Sequence, residues 1–371
     1  MSKDKFKSPV LTIDLRMIDS SGIGTYLKNL IPQIIEYLPE ASFNLLGKYK
    51  VIEKHIDLKY NRNITLIQTG APIYSLLEQI EIPKKIPKNT SLFWSPHYNI
   101  PLLYKGKLLV TVHDLFHLAM RQMVPGIHKK NYAKIMFAKV SSKADAIICI
   151  SEFTKRELVR FTHCQEEKIH LIYNGTNKSN NIAQECSPYP RPYLLFVGNV
   201  KPNKNLVNLI RSFEIVKNII PHDLVIVGKK EGFITGDEYV FKKAAELGSR
   251  IRFTGYIDDA TLIQYYRHAT ALVFPSIYEG FGLPPLEAMA CDCPVIVSNK
   301  ASLPEVCGDA ALYCDPFNCE DITTKILDII NDQKLRETLA FNGKRRISLF
   351  KWEECAKKTL AIIETILTEE N

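Results

Sequence analysis

The chain has 371 residues, 46% hydrophobic and 24% charged, which fits a soluble globular protein too long for a single core and suited to two domains. No run of about eighteen uncharged apolar residues occurs, and Met1–Lys7 lacks an apolar signal core, so no spanning helix and a cytoplasmic location are expected. Residues 1–180 carry 26 Lys+Arg against 15 Asp+Glu, residues 181–371 carry 22 against 25, and the net charge of +8 therefore sits in the first half.

That basic half is suited to an anionic surface or substrate; composition alone leaves nucleic acid, a membrane leaflet and a merely solvated lysine face open. Nine cysteines at irregular spacings read as reduced, buried thiols. Cys291 and Cys293 have no second pair at zinc-finger spacing.

In chain order, Val10–Asp14 predicts a strand, Ser20–Tyr26 a glycine turn holding Gly22 and Gly24, and Tyr26–Leu38 an amphipathic helix. Strand, glycine turn and helix open a doubly wound α/β fold. Short strands follow at 43–46, 64–68, 91–94 and 108–112, and residues 80–86 with Lys84, Lys85 and Lys88 form a basic loop or helix end. His97 and His113 each stand just beyond a strand's C-terminal end, the edge that lines the ligand crevice of open α/β sheets. A histidine there donates a hydrogen bond, acts as acid or base, or is satisfied by local backbone. Residues 126–142 predict a helix with Lys129, Lys130, Lys134 and Lys139, a candidate membrane face or an ordinary solvated one. Ala146–Ile150 is a strand, Ser151 caps a helix over 152–161, and 169–173 closes the first half.

Residues 176–192, with three prolines and little periodicity, read as a linker. The division expected is an N-terminal Rossmann-like domain over 1–178, a linker at 179–192, a second Rossmann-like domain over 193–352, and a terminal helix over 353–371 packing back on the first domain. In the second half, strands are predicted at 193–197, 224–227, 251–254, 271–274 and 294–298, five in all, with a helix over 206–219. Gly228-Lys229-Lys230 ends the second of these, and the tail from Asp321 to Asn371 reads as helical throughout.

The most informative run is Phe274–Ala290. An apolar strand stops at Pro275, a loop holds Gly280 and Gly282, and Pro284 and Pro285 stand where a helix begins. The first amides and dipole of a helix favour an anion, and the two glycines permit positive φ and a close backbone approach. Glu279 and Glu287 bracket the loop, with seven residues between them. Carboxylates accept from hydroxyls and repel phosphate, so they suit the neutral ends of a nucleotide sugar. Lys204, in a loop that opens a helix after Gly198, is a cation for a diphosphate. No Asp-x-Asp occurs, so no metal ligand set and no cofactor are expected.

On these residues the chain resembles a family 4 retaining glycosyltransferase. The resemblance is carried by Gly198-x5-Lys204-Asn205, Phe253-Thr-Gly255-Tyr256, the segment Glu279–Glu287, Val295–Ser298 and Leu303–Val306. In the first half, Gly22-Ile-Gly24, Thr111–Leu115 and Ile150–Lys155 resemble the mannosyltransferase-like members. The resemblance implies the GT-B fold, two doubly wound domains facing across a cleft, and transfer of a hexose, mannose from GDP-mannose favoured, to a hydroxyl of a cell-surface glycan or lipid-linked saccharide. UDP- or dTDP-activated glucose, N-acetylhexosamine or rhamnose stay open, as do more remotely a sugar-nucleotide epimerase and a non-catalytic binding protein. Peripheral contact with an anionic membrane through the basic half is a further expectation, and nucleic acid is not expected.

The resemblance also implies roles. Glu287 would accept from the ribose, Glu279 would contact the transferred sugar, and Phe281, Gly282 and Leu283 would line sugar and phosphates. Lys204 would hold the diphosphate, with Asn199 and Lys201 beside it. Gly22 and Gly24 would let the first loop approach phosphate and acceptor. His113, followed by Asp114, would touch a hydroxyl of the transferred sugar. Many members carry an arginine shortly before the phosphate lysine. Here Val200-Lys201-Pro202-Asn203 stands there, and Lys201 as a point charge cannot grip a phosphate bidentately.

Overall fold

The computed structural model describes residues 8–57, 63–177, 186–228 and 238–369, without the Glu238 side chain. Lys229, Lys230, the first half of the expected linker (residues 179–185) and the first seven residues lie outside the described residues. The chain forms two compact units: Met1–Arg121, Gly126–Gly175 and Trp352–Asn371 in the first, Gln122–Pro125 and Thr176–Lys351 in the second.

Unit 1 runs β1 (Val10–Asp14), α1 (Ser21–Tyr37), β2 (Ser42–Gly47), α2 (Tyr49–Ile52), β3 (Ile64–Gln68), α3 (Leu76–Lys85), β4 (Leu92–Ser95), β5 (Leu108–Val112), α4 (Phe116–Ala119), α5 (Ile127–Lys143), β6 (Ala146–Cys149), α6 (Glu152–Thr162) and β7 (Ile169–Leu171). Its sheet has the order β3-β2-β1-β4-β5-β6-β7, and every pair is parallel. Helices on both faces explain why β4, β5 and β6 are buried at every residue and read as continuous apolar runs. Local chemistry sets the helix starts. Ser75 and Glu78 form a reciprocal capping box on α3, and the Ser151 hydroxyl accepts from the Thr154 amide at 3.0 Å on α6.

Unit 2 runs β8 (Tyr193–Val197), α7 (Leu206–Val216), β9 (Asp223–Val227), α8 (Glu238–Glu246), β10 (Ile251–Gly255), α9 (Asp259–His268), β11 (Ala271–Phe274), α10 (Leu283–Ala290), β12 (Val295–Ser298), α11 (Leu303–Cys307), β13 (Leu312–Cys314), α12 (Cys319–Asn331) and α13 (Gln333–Ile347). Its sheet is again parallel, in the order β10-β9-β8-β11-β12-β13. α14 (Trp352–Thr368) returns to unit 1 and packs against α1, with Trp352 and Tyr26 edge to face at 6.2 Å.

Three sequence expectations are corrected. Among the described residues the sheet of unit 2 has six strands, not five; the sixth, three-residue β13, is too short to show a period. The tail is not one helix: Asp332 ends α12 and caps α13 by accepting from the Leu335 amide at 2.9 Å, and residues 348–351 separate α13 from α14. α1 begins at Ser21, so Gly22 and Gly24 lie in its first turn rather than in a turn before it.

Candidate active site

In both sheets the strand order reverses once, between β1 and β4 in unit 1 and between β8 and β11 in unit 2. Loops leaving the carboxyl ends of those strands form the crevice where open α/β sheets take ligands. In unit 2 they are residues 198–205 and 275–282, which hold the glycine, lysine and glutamate positions singled out from sequence.

The two loops are stitched together. Asn205 Nδ2 donates to the carbonyls of Pro275 (3.1 Å) and Pro316 (2.6 Å), Asn203 Nδ2 donates to Tyr278 O (3.0 Å), and the Ile277 amide donates to Asn203 O (2.8 Å). Asn205 adopts the left-handed conformation, φ 59°, where asparagine is tolerated. This bracing places Lys204 Nζ 2.7 Å from Glu279 Oε1 and 5.0 Å from the centre of the Phe274 ring. Lys204 and Glu279 keep 18% and 12% of their side chains exposed, enough for a ligand to compete for the pair. Sequence reasoning treated the lysine and the glutamate separately; the structure makes them partners.

Gly282 caps α10 at φ 106°, and a Cβ there would lie 2.7 Å from Leu303 Cδ2. The positive φ demands glycine, whereas the Leu303 methyl could shift to relieve the contact. Gly280 is not among the positive-φ glycines, so the freedom expected of it is not used. The second and third residues of α10 are prolines, which have no amide hydrogen, and the donors at this helix start reduce to Gly282 and Leu283. The anion seat expected from a full set of first-turn amides is thus mainly a seat of dipole and lysine charge. Ser302, in the loop after β12, has its hydroxyl 2.9 Å from Glu279 O and 2.8 Å from Phe281 O; its single proton serves one carbonyl at a time and fixes the loop. Ser276, in the loop after β11, is fully buried, and its hydroxyl has no hydrogen-bond partner among the described residues.

Glu287, on α10, accepts from the hydroxyl of fully buried Tyr266 at 2.9 Å. Burial pushes its carboxyl up, and the tyrosine hydrogen bond works against that rise. Asn199 is half-buried, and Lys201 is exposed at the start of the turn that carries Lys204.

In unit 1, His113 follows β5. Its Nε2 lies 3.0 Å from the Pro96 carbonyl, which can only accept, so Nε2 carries the proton and Nδ1 is left as an acceptor. Burial lowers its pKa to about 4, so the ring is neutral at pH 7. Asp114 accepts from the Phe116 amide at 2.9 Å, opening α4. Gly22 is exposed, and a Cβ added there would meet nothing within 4 Å, whereas a Cβ on buried Gly24 would lie 2.5 Å from the Ile18 carbonyl oxygen. Neither has positive φ. Gly24 is therefore explained by packing, and only Gly22 leaves open space for a ligand.

Sequence reasoning missed a buried network at the same sheet edge. Arg16 makes a bidentate pair with Asp14 (2.6–3.0 Å) and reaches Glu78 at 2.8 Å. Tyr132 donates to Glu78 (3.0 Å) and contacts Asn99, whose amide meets His97 Nδ1 at 3.2 Å. His97 Nε2 then donates to the Tyr74 hydroxyl at 3.0 Å. Tyr74, at φ 65° and 44% exposed, has Tyr98, His117 and Tyr132 rings within 6.2 Å. A bulky residue held at positive φ stores backbone strain that surrounding contacts must offset. The sequence signals were the capping box at Ser75–Glu78 and charges just after a strand, but the partners are up to 62 residues apart.

The sequence matches the profile described as "Glycosyl transferases group 1" over residues 177–346 and that of "Glycosyltransferase Family 4" over residues 89–180. It is 29% identical over 287 residues to the O-antigen chain mannosyltransferase B of Escherichia coli, covering 72% of this chain and 73% of that protein. Among solved structures it is similar to the sucrose-phosphate synthase of Thermosynechococcus elongatus, with a TM-score of 0.79 and 21% identity over 97% of this chain and 99% of that one. It is also similar to HepE of Anabaena in complex with UDP and glucose, with a TM-score of 0.76 and 15% identity over 96% and 100%. These structural likenesses show the GT-B fold, and with the two adjoining family matches the chain belongs to the family 4 glycosyltransferases.

Proposed function

We propose that this transferase moves a hexose, mannose from GDP-mannose, to a hydroxyl of a saccharide or lipid-linked saccharide acceptor with retention of anomeric configuration. The observation that carries the reading is the Lys204–Glu279 pair, held by braced loops at the strand-order reversal of unit 2 beside the start of α10. There a cation and a helix dipole favour a diphosphate, and a carboxylate is present for sugar hydroxyls. Mannose is favoured by the Escherichia coli relative. A UDP-sugar is the second reading, favoured by the ligands of the Anabaena protein.

In the reaction, the acceptor oxygen bonds to the anomeric carbon on the face from which the diphosphate leaves. The bond from that carbon to the phosphate oxygen breaks, and the acceptor proton passes to the departing oxygen. Lys204 and the α10 dipole stabilise the developing negative charge, with Lys201 as a second, exposed cation. Glu279, released from Lys204 by the incoming phosphate, accepts from hydroxyls of the transferred sugar, and Glu287 from the ribose. The backbone of Phe281, Gly282 and Leu283 and the Asn199 side chain line the donor. Neutral His113 accepts at Nδ1 from a sugar hydroxyl, and Asp114 holds that turn. Gly22 gives the donor and acceptor access to the first turn of α1. The exposed aromatic ring of Tyr74, backed by His97, offers the acceptor saccharide an apolar face and hydroxyl-bonding groups. Lys129, Lys130 and Lys134 of α5 place the protein against an anionic membrane. The chemistry is proposed to need no metal, and turnover is expected to persist in EDTA.

The test is donor turnover with GDP-, UDP-, dTDP- and ADP-sugars, with thermal shift as a parallel binding readout. Lys204→Ala is expected to lower kcat/KM roughly 10²–10³-fold, and Glu287→Ala to raise the donor KM. Unchanged turnover in both variants would sink the reading.

A further inference from the structure

Among the described residues of unit 1, most of the large apolar side chains left in water lie on α3, the loop before β5 and α5. α3 exposes Leu76 (81%), Leu77 and Ile80, the loop before β5 exposes Leu103, and α5 exposes Ile127 and Ile135. The three segments are hydrogen-bonded to one another. Tyr132 of α5 donates to Glu78 of α3, Gln79 of α3 bonds the Ile100 carbonyl and the Leu102 amide (3.2 and 2.9 Å), and Lys143 of α5 donates to Tyr104 O at 2.7 Å.

On α3, positions 76, 77, 80 and 84 share one helical face, while Glu78 and Ile82 on the other are buried. That outer face is three large apolar residues followed by exposed Lys84. On α5, Ile135 stands three residues past Tyr132, one turn along the stripe that meets α3, and Ile127 is eight residues before it. Lys88, Lys105, Lys129, Lys134 and Lys139 are also exposed around these segments. No acidic residue occurs between Asp114 and Asp145, and the two on α3 are engaged: Glu78 with Arg16 and Tyr132, Glu81 with Thr69, Gly70 and Lys85.

An isolated exposed leucine needs no explanation, but a contiguous apolar ridge does. Rimmed by lysines, it has the chemistry of an interfacial amphipathic element, which inserts apolar side chains at the headgroup boundary while cations meet anionic lipid. We propose that α3 is a membrane anchor: Leu76, Leu77 and Ile80 insert among the acyl chains of an anionic bilayer, with Leu103, Ile127 and Ile135 beside them and the lysines on the headgroups. This deepens the lysine-based membrane contact proposed above, and rests on it only for the sign of the surface.

The two readings separate experimentally. The native tryptophans, Trp94 and Trp352, are 0% and 6% exposed and supply a constant background. In the full chain, Leu77→Trp is expected to show a blue-shifted emission on adding phosphatidylcholine–phosphatidylglycerol vesicles and quenching by brominated acyl chains. The Leu76→Ser/Leu77→Ser/Ile80→Ser variant, checked as folded by its melting curve, is expected to lose at least tenfold in vesicle partitioning at both low and high salt. Neutralising Lys129, Lys130 and Lys134 should weaken partitioning mainly at low salt. Sedimentation with vesicles while the tryptophan at position 77 stays unshifted and unquenched would overturn insertion and leave a purely electrostatic contact. Failure to sediment would overturn both, and self-association relieved by the serine substitutions would assign the ridge to a second copy of the chain.

Discussion

His113 ties protonation to stability. Its pKa in the folded protein is about 4, against an ordinary value near 6.5 in the unfolded chain. Between those values the unfolded state binds the extra proton, so stability is full above about pH 6.5 and falls as the pH drops to about 4. The loss from this residue is at most about 3 kcal/mol. His113→Asn removes that proton, so the variant's unfolding free energy should fall less than the parent's between pH 6.5 and 4; parallel curves in urea titrations would refute the assignment. Position mattered for what could be read in advance. Lys204, Glu279 and Glu287 were legible because glycines and prolines mark their loops within a few residues. Tyr266 and Arg16 were not, because their importance comes from partners that only folding brings near: Glu287, 21 residues away, and Glu78, 62 away.

At the scale of the element, the first turn of α1 separates two glycines that looked alike. Gly22→Ala meets nothing within 4 Å and replaces a poor helix former, so it should stabilise by roughly 0.5 kcal/mol. Gly24→Ala drives a methyl onto the Ile18 carbonyl and should destabilise by roughly 1–3 kcal/mol. If substrate approaches position 22, Gly22→Ala will raise Tm and KM together; a higher Tm with unchanged KM would remove Gly22 from the site. The alternation of strands and helices was readable because buried parallel strands are apolar runs bounded by breakers. The start of α1 was misplaced because two glycines suggest a turn when a helix's first turn can also hold them. β13 escaped because three residues carry no period, and α3's exposed ridge escaped because apolar spacing gives a helix face without saying whether anything covers it.

At the scale of the molecule, the polypeptide leaves unit 1 at Gly175 and re-enters it at Trp352. Within unit 1 these two residues touch: a Cβ on Gly175 would lie 2.2 Å from the Trp352 backbone nitrogen. From there α14 covers α1, burying Trp352, Cys355, Ala356, Thr359, Ile362, Ile363 and Ile366. Ending the chain at Lys351 should therefore strip unit 1 while sparing unit 2. Calorimetry is expected to show the unit 1 transition lowered or lost and the unit 2 transition kept; equal effects on both would show that the units do not melt separately.

Because Pro284 and Pro285, at the start of α10, supply no amide hydrogens, a diphosphate seated there is held by a field more than by a fixed set of donor directions. A field does not specify which oxygen faces which atom. As the glycosyl bond breaks in the proposed reaction, the departing group would have few directional bonds to surrender, those of the Gly282 and Leu283 amides and of Lys204. On the proposed reading GDP and UDP donors present the same diphosphate to this seat, so the choice between them would fall to the nucleoside end of the ligand, which that reading assigns to Glu287.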